Sequence, residues 1–317
     1  MNFNDRLSFE ESPNDLLTIG ELLIDMISNA YDDKSMSSGY MNYPGGSPAN
    51  IAINAQKLGI RSRIAASVGE DGFGNFLLER LRMEGAGTDL IQRAAQSTSL
   101  VVVTKSRATP VPIFYRGADG MLQYSPQLEQ ALQSSKIIHF SCWPLSVFPA
   151  RQAIERVILE AKARGKWIGF DPNYHPMLWQ DGEDGVQYVK TILSIADIVK
   201  PSEDDAERLF GPDTPANQLE KFLKLGAKLV ILTLGKDGAL VSNGKETRAF
   251  KTKATDVVDT TGAGDAFWSG FYAGAIKGYT LEEALELGFA VSAYKLKHIG
   301  AVVNLPRLED IKDQFDL

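Results

Sequence analysis

The sequence predicts an α/β protein built on a mainly parallel sheet covered by helices on both faces, together with a small second sheet. Three observations carry this. A strand–helix rhythm recurs through the middle of the chain, and parallel strands follow from it because each crossover helix returns the chain in the same direction. Two segments, about 24–43 and 97–124, interrupt the rhythm with strand-like stretches and polar turns but no helical period. Finally, 317 residues at 44% hydrophobic content are enough chain to bury a sizeable core.

After a polar N-terminal leader, residues 1–15, the run Leu16-Leu17-Thr18-Ile19-Gly20 reads as a buried strand. Residues 51–58 read as a helix ending at Gly59, with Ser47 as its N-cap and Pro48 as its first helical residue. Strands are predicted at 99–104, 137–141, 167–170, 198–199 and 229–234, and helices at 151–164, 186–193, 203–210 and 216–225. Asn243-Gly244 marks a hairpin turn. A helical run of small residues follows Asp265 and stops near Gly278. There is no solenoid-period repeat, low-complexity tract or interdomain linker, so 16–317 reads as one domain.

Composition narrows the function. A net charge of −7 argues against general affinity for nucleic acid or anionic membranes, which need concentrated Lys and Arg. One cysteine, Cys142, excludes an internal disulfide framework, and three histidines give no zinc-ligand spacing. The leader lacks a basic stretch followed by an apolar one, and no apolar run is long enough to span a bilayer, so a cytoplasmic setting is expected.

The strongest chemical signal is Asp259-Thr260-Thr261-Gly262-Ala263-Gly264-Asp265, placed at the start of a helix. Free backbone N–H groups and the positive end of a helix dipole attract a phosphoryl group there, and glycine lets the backbone come close. Asp265 adds a carboxylate in the same turn, suited to accepting the proton of an attacking alcohol. The plainer reading is an acidic first turn entered through glycines. A second signal is Gly45-Gly46-Ser47-Pro48-Ala49-Asn50. Capping accounts for Ser47 and Pro48, while Gly45, Gly46 and Asn50 suit close contact with a polyol. Gly238 to Gly244-Lys245 has the wrong spacing for a P-loop, and neither Gly262-Ala263-Gly264 nor Gly69, Gly72 and Gly74 make a dinucleotide fingerprint.

With both signals in place, and in this order, the chain resembles the PfkB (ribokinase-like) family of carbohydrate kinases from the end of the leader onward. The resemblance implies a three-layer α/β core with a small β-sheet lid drawn from the two helix-poor segments, a lid that also serves relatives as a homodimer contact. It implies ATP and Mg2+, Asp265 as general base and the backbone of Gly262, Ala263 and Gly264 as anion hole. Asp25 matches the family's sugar-hydroxyl acceptor, and Gly45, Gly46 and Asn50 its sugar signature. Thr233, Gly235 and Gly238 match the nucleotide-binding turn. Asp259 and Thr261, with Gly300, match positions that hold a monovalent cation, K+, in many relatives.

Some positions depart from the family pattern. Asn-x-x-Glu, tied to magnesium and phosphate, appears as Ser202-Glu203-Asp204-Asp205, which puts Asp205 in the acidic role, acting on magnesium through water. His175 stands where arginine is expected in Asp171-Pro172-Asn173-Tyr174-His175, and Arg116 is the neighbour that compensates for the lost cation. Phe114-Tyr115-Arg116-Gly117-Ala118-Asp119 and the same Asp171 segment look most like fructokinases. The expected activity is therefore phosphorylation of D-fructose to fructose 6-phosphate. 2-Keto-3-deoxygluconate and 5-dehydro-2-deoxygluconate kinases share these motifs and remain alternatives. A non-catalytic sugar or nucleotide sensor is the alternative of another class, disfavoured because a pure binder needs no base beside an anion hole.

Overall fold

The structure, a computed structural model, describes residues 2–31, 39–105 and 112–317. The parts of the expected lid at 32–38 and 106–111 lie outside the described residues. In chain order the first half contains β1 (Asn14–Ile19), β2 (Leu23–Ser28), β3 (Tyr40–Gly45), α1 (Ser47–Lys57), β4 (Ser62–Gly69), α2 (Gly72–Met83), β5 (Ile91–Ala94), β6 (Leu100–Val103), β7 (Ile113–Tyr115), α3 (Pro126–Gln133) and β8 (Ser135–Ser141). The second half contains α4 (Ala150–Ala163), β9 (Trp167–Asp171), α5 (Gly185–Leu193), β10 (Ile198–Val199), α6 (Glu203–Phe210), α7 (Pro215–Leu225), β11 (Leu229–Thr233), β12 (Ala239–Ser242), β13 (Thr247–Phe250), α8 (Ala263–Ile276), α9 (Leu281–Leu296) and α10 (Leu308–Gln314).

Nine strands form the main sheet in the order β13-β12-β11-β10-β9-β8-β1-β4-β5. Neighbours from β11 to β5 run parallel, and the hairpin β12–β13, with Asn243-Gly244 in its turn, adds an antiparallel edge. Successive residues on a strand point to opposite faces. Leu16, Ile137 and Leu229 accordingly join one core, with α1, α8, α9 and α10, while Leu17, Ile138 and Val230 join another with α3 to α7. Both faces are covered, which is why these strands read as unbroken apolar runs. Among the described residues no helix is long and apolar enough to cross a membrane.

Four strands form the second sheet, in the order β3-β2-β6-β7. The strand expected at 99–104, which lies in the 97–124 segment expected to form the small second sheet, is β6, and it pairs with β2 and β7. A short run of valines looks the same in either sheet, and only pairing decides between them. A third apolar cluster, with Leu22, Ile24, Ala52, Ile53 and Leu77, fastens this sheet to α1, α2 and β4. The polar leader packs onto the fold: Phe3 is fully buried, and the carbonyls of Asp5 and Phe3 accept N–H groups of Leu281 and Glu282 at the start of α9.

The sheet's carboxyl edge sets up the site. The chain enters at β1 in mid-sheet, later strands run outward on either side, and ligands of open α/β sheets bind at the carboxyl ends beside such a switch. Ser141 and Asp171 are paired at the ends of β8 and β9, and Glu21 and Lys200 stand just beyond β1 and β10.

Candidate active site

Asp265 lies in the first turn of α8, buried, with 9% of its surface exposed. One carboxylate oxygen accepts the Ser47 hydroxyl at 2.7 Å and the other the Asn50 side-chain amide at 2.9 Å. Both partners sit on α1, so two glycine-rich motifs more than two hundred residues apart meet at one carboxylate. Ser47 therefore does something other than expected. It is the first residue of α1 rather than its N-cap; Gly46 holds the cap position and makes no side-chain bond. The cause is local: Gly46 has φ +109°, and a Cβ on it would lie 2.3 Å from the Glu21 carbonyl. The Glu21 carboxylate instead receives the Ser47 N–H at 3.1 Å, leaving the hydroxyl free for Asp265.

The turn before α8 supplies donors. Gly262 adopts the left-handed conformation, φ +73°, and a Cβ there would lie 2.6 Å from Ala301. Of the three expected anion-hole groups, the Ala263 N–H is bonded to the Thr260 carbonyl at 3.2 Å. The N–H groups of Gly262 and Gly264, and that of Asp265, have no acceptor among the described residues. Lys200 adds a cation: a Cβ on Gly264 would stand 3.2 Å from its ammonium. Lys200 is buried and paired with Asp171 at 2.9 Å, and Asp171 also accepts the Trp268 indole N–H at 2.7 Å.

A cavity of about 630 Å3 opens in front of this turn. Thr233, Gly235 and Gly238 line it beside Gly264, Lys200 and Glu203. Asp205 is turned inward. Its oxygens accept the N–H of Tyr174 and the N–H and hydroxyl of Ser202, closing a capping box on α6. Among the described residues no group of three or more His, Cys, Asp or Glu side chains stands close enough to hold a metal.

On the second sheet, Asp25 lies within β2 and points the same way as Val101 and Phe114, its cross-strand neighbours. Its carboxylate accepts no hydrogen bond from the described residues and rests against Gly45, where a Cβ would be 2.2 Å from Oδ2. Arg116 is engaged elsewhere. Its guanidinium pairs with the buried carboxylate of Asp119, donates to Ser146 and lies 4.5 Å above the Trp143 ring. The cation beside His175 is instead Arg208; both line a cavity of about 400 Å3 with Glu21, Phe114 and Asp205.

Three carboxyls titrate abnormally here. Burial pushes Glu21 up to about 8 and Asp25 up to about 7, and the charge of Asp265 adds to both shifts. Burial also raises Asp265, while the bonds from Ser47 and Asn50 and the Lys200 charge oppose the rise. A carboxylate poised nearer neutrality, with N–H donors in its own turn, can take a proton from an alcohol while an anion is held beside it.

The profile of the family described as "pfkB family carbohydrate kinase" matches residues 13–308. The chain belongs to the PfkB family of carbohydrate kinases. It is thus a sugar phosphotransferase. The chain is 57% identical, over 100% of its length and 98% of the relative's, to an ATP-dependent 6-phosphofructokinase of Thermoanaerobacterium thermosaccharolyticum. The structure of Halothermothrix orenii fructokinase is similar, with TM-score 0.78 and 42% identity over 87% of this chain and 97% of that one. A putative ribokinase II from E. coli in complex with ATP and Mg2+ matches with TM-score 0.83 and 28% identity, covering 96% and 99% of the two chains.

Glu21, Lys200 and Asp171 had no assigned role in the sequence reading, nor had Ser47 beyond capping. The signal for the first three was there: each is a charged residue within two positions of the end of a short apolar strand, where an α/β sheet presents side chains to its ligand.

Proposed function

We propose that this PfkB-family kinase transfers the γ-phosphoryl group of ATP to a primary hydroxyl of D-fructose. The observation that carries the reading is Asp265, which is bonded to Asn50 of the sugar signature and shares a turn with the N–H groups of Gly262 and Gly264, unbonded among the described residues. Asp265 removes the hydroxyl proton, the sugar oxygen bonds to the γ-phosphorus, the bond to the β–γ bridging oxygen breaks, and ADP leaves with that electron pair. The free N–H groups and Lys200 face the charge that develops on the phosphoryl oxygens. Asp25, Gly45 and Asn50 orient the sugar.

The place for ATP in this reading is the 630 Å3 cavity, which Thr233, Gly235 and Gly238 line. Magnesium keeps several waters and binds chiefly to nucleotide phosphates, so the carboxylates lining this cavity, Glu203 and Asp204, suit it better than Asp205, whose oxygens are already engaged. When bound, it neutralises phosphate charge. The exposed Ile113 and Tyr115 at the edge of the second sheet support a homodimer formed through the lid, which sedimentation would test. An ATP-consuming enzyme with a free, buried Cys142 suits the cytoplasm.

A second acceptor, fructose 6-phosphate, is favoured by the name of the 57%-identical relative and by Arg208 beside the 400 Å3 cavity. ADP release from MgATP decides between them, measured with fructose, fructose 6-phosphate, ribose and 2-keto-3-deoxygluconate. The fructose reading expects the highest kcat/KM with fructose. Preference for fructose 6-phosphate moves the acceptor and keeps the mechanism, and no turnover with any sugar refutes the proposal.

A further inference from the structure

The loop that enters the anion hole is held by the end of α9. The Leu296 carbonyl accepts the N–H groups of Val258 and Asp259 at 2.8 and 3.3 Å, and the Ser292 hydroxyl donates to the Ala263 carbonyl at 3.0 Å. Between these two residues, Lys295 is fully buried and aims its ammonium at the same loop. It donates to the Asp259 carbonyl at 2.6 Å and lies 3.9 Å from the Asp259 carboxylate. A buried lysine with a strongly hydrated head group is costly unless a carbonyl or an anion meets it. Here both do.

Asp259, Thr261 and Gly300 are the residues for which the family resemblance implies a monovalent cation. The oxygens of Asp259 are already engaged. The Asp259 carbonyl already receives the ammonium, Oδ1 accepts the N–H and hydroxyl of Thr261, and Oδ2 accepts the Gly300 N–H at 2.8 Å. A second cation ligated by the same residue would stand against the positive charge of the buried ammonium. We infer that the ammonium of Lys295 is the built-in cation of this loop, fixing the turn that carries Gly262, Gly264 and Asp265, and that the protein works without bound potassium. Lys295 is a positioning residue: it touches the loop backbone, not the reacting atoms. The inference rests on the kinase reading only for its effect on turnover.

Two readouts separate it from that reading: thermal melting, which needs no substrate, and calorimetric binding of MgADP, which needs no acceptor sugar. Each is measured in potassium chloride and in tetramethylammonium chloride at equal ionic strength. Wild type is expected to melt at the same temperature in both salts and to bind MgADP with less than about a twofold difference. Lys295→Ala, which leaves room for an ion, is expected to bind MgADP about tenfold more weakly in tetramethylammonium and to recover in potassium, both in binding and in melting temperature. Lys295→Arg keeps the charge and is expected to show no salt preference. If Lys295→Ala does not fold, the wild type and Lys295→Arg comparisons decide. A wild type that potassium stabilises or tightens, or a Lys295→Ala variant indifferent to both the lost charge and the added ion, overturns the inference. Should MgADP fail to bind in any salt, the kinase reading falls and the melting comparison still judges Lys295.

Discussion

Glu21→Gln isolates the electrostatic cost of the site. Glu21 is 5% exposed, and its carboxyl receives the Ser47 N–H at 3.1 Å and the Ser141 hydroxyl at 3.2 Å. Its pKa rises from the ordinary value of 4.5 to about 8 on folding, chiefly through burial. Between those values the native protein keeps a proton that the unfolded chain has lost. Stability from this group therefore falls as pH rises from about 4.5 to about 8 and levels beyond. At 1.36 kcal/mol per pH unit the upper bound is ~5 kcal/mol, and relaxation around the ionised group brings the expected loss to ~2–3 kcal/mol. Glutamine keeps an acceptor for Ser47 and cannot titrate. For a chain of this size ~1 kcal/mol corresponds to about 2 °C, so the fall in melting temperature from pH 5 to pH 8.5 is expected to be about 4–6 °C smaller in Glu21→Gln than in wild type. Scanning calorimetry across that range measures it. An identical fall in both proteins would refute the assignment of a buried, protonated Glu21.

Two further substitutions probe the neighbouring contacts. Ser47→Ala removes a hydrogen bond that favours ionised Asp265, so the acidic limb of the kcat/KM profile is expected to move up by about one pH unit; a limb that stays put, or moves down, counts against Asp265 as the titrating base. Gly45→Ala puts a Cβ 2.2 Å from the Asp25 carboxylate, which must shift. KM for the sugar is expected to rise about 10- to 100-fold with nucleotide affinity preserved, and an unchanged KM would detach Asp25 from sugar binding.

Much of the main sheet was legible because β8, β9, β10 and β11 are buried on both faces and bounded by polar turns, so their apolar runs stand out. The strands β4 and β5 and the helices α2, α3, α9 and α10 were not picked out. α9 is buried on nearly every side, as its run of Leu, Gly, Phe and Ala shows, so it carries little amphipathic period to detect. β5, on the edge of the main sheet, is only partly buried and mixes Gln and Arg with Ile and Ala. In the site, the residue types of Asp265 and Gly262 were readable because helix-start chemistry is local. The contacts of Ser47 with Asp265 and of Lys200 with Asp171 were not, since each joins residues brought together only by the sheet. Lys295 is a similar case: in a helix sequence it looks like one more surface lysine, and burial alone marks it out.

Asp265→Asn, assayed for both turnover and sugar binding, tests the central claim most directly. Asparagine preserves the size of the side chain and can still pair with Asn50 and Ser47, but it cannot accept the acceptor hydroxyl's proton. The account predicts sugar affinity within a few-fold of wild type by calorimetry and kcat lower by about 10²- to 10⁴-fold. A kcat within tenfold of wild type would contradict Asp265 as the base.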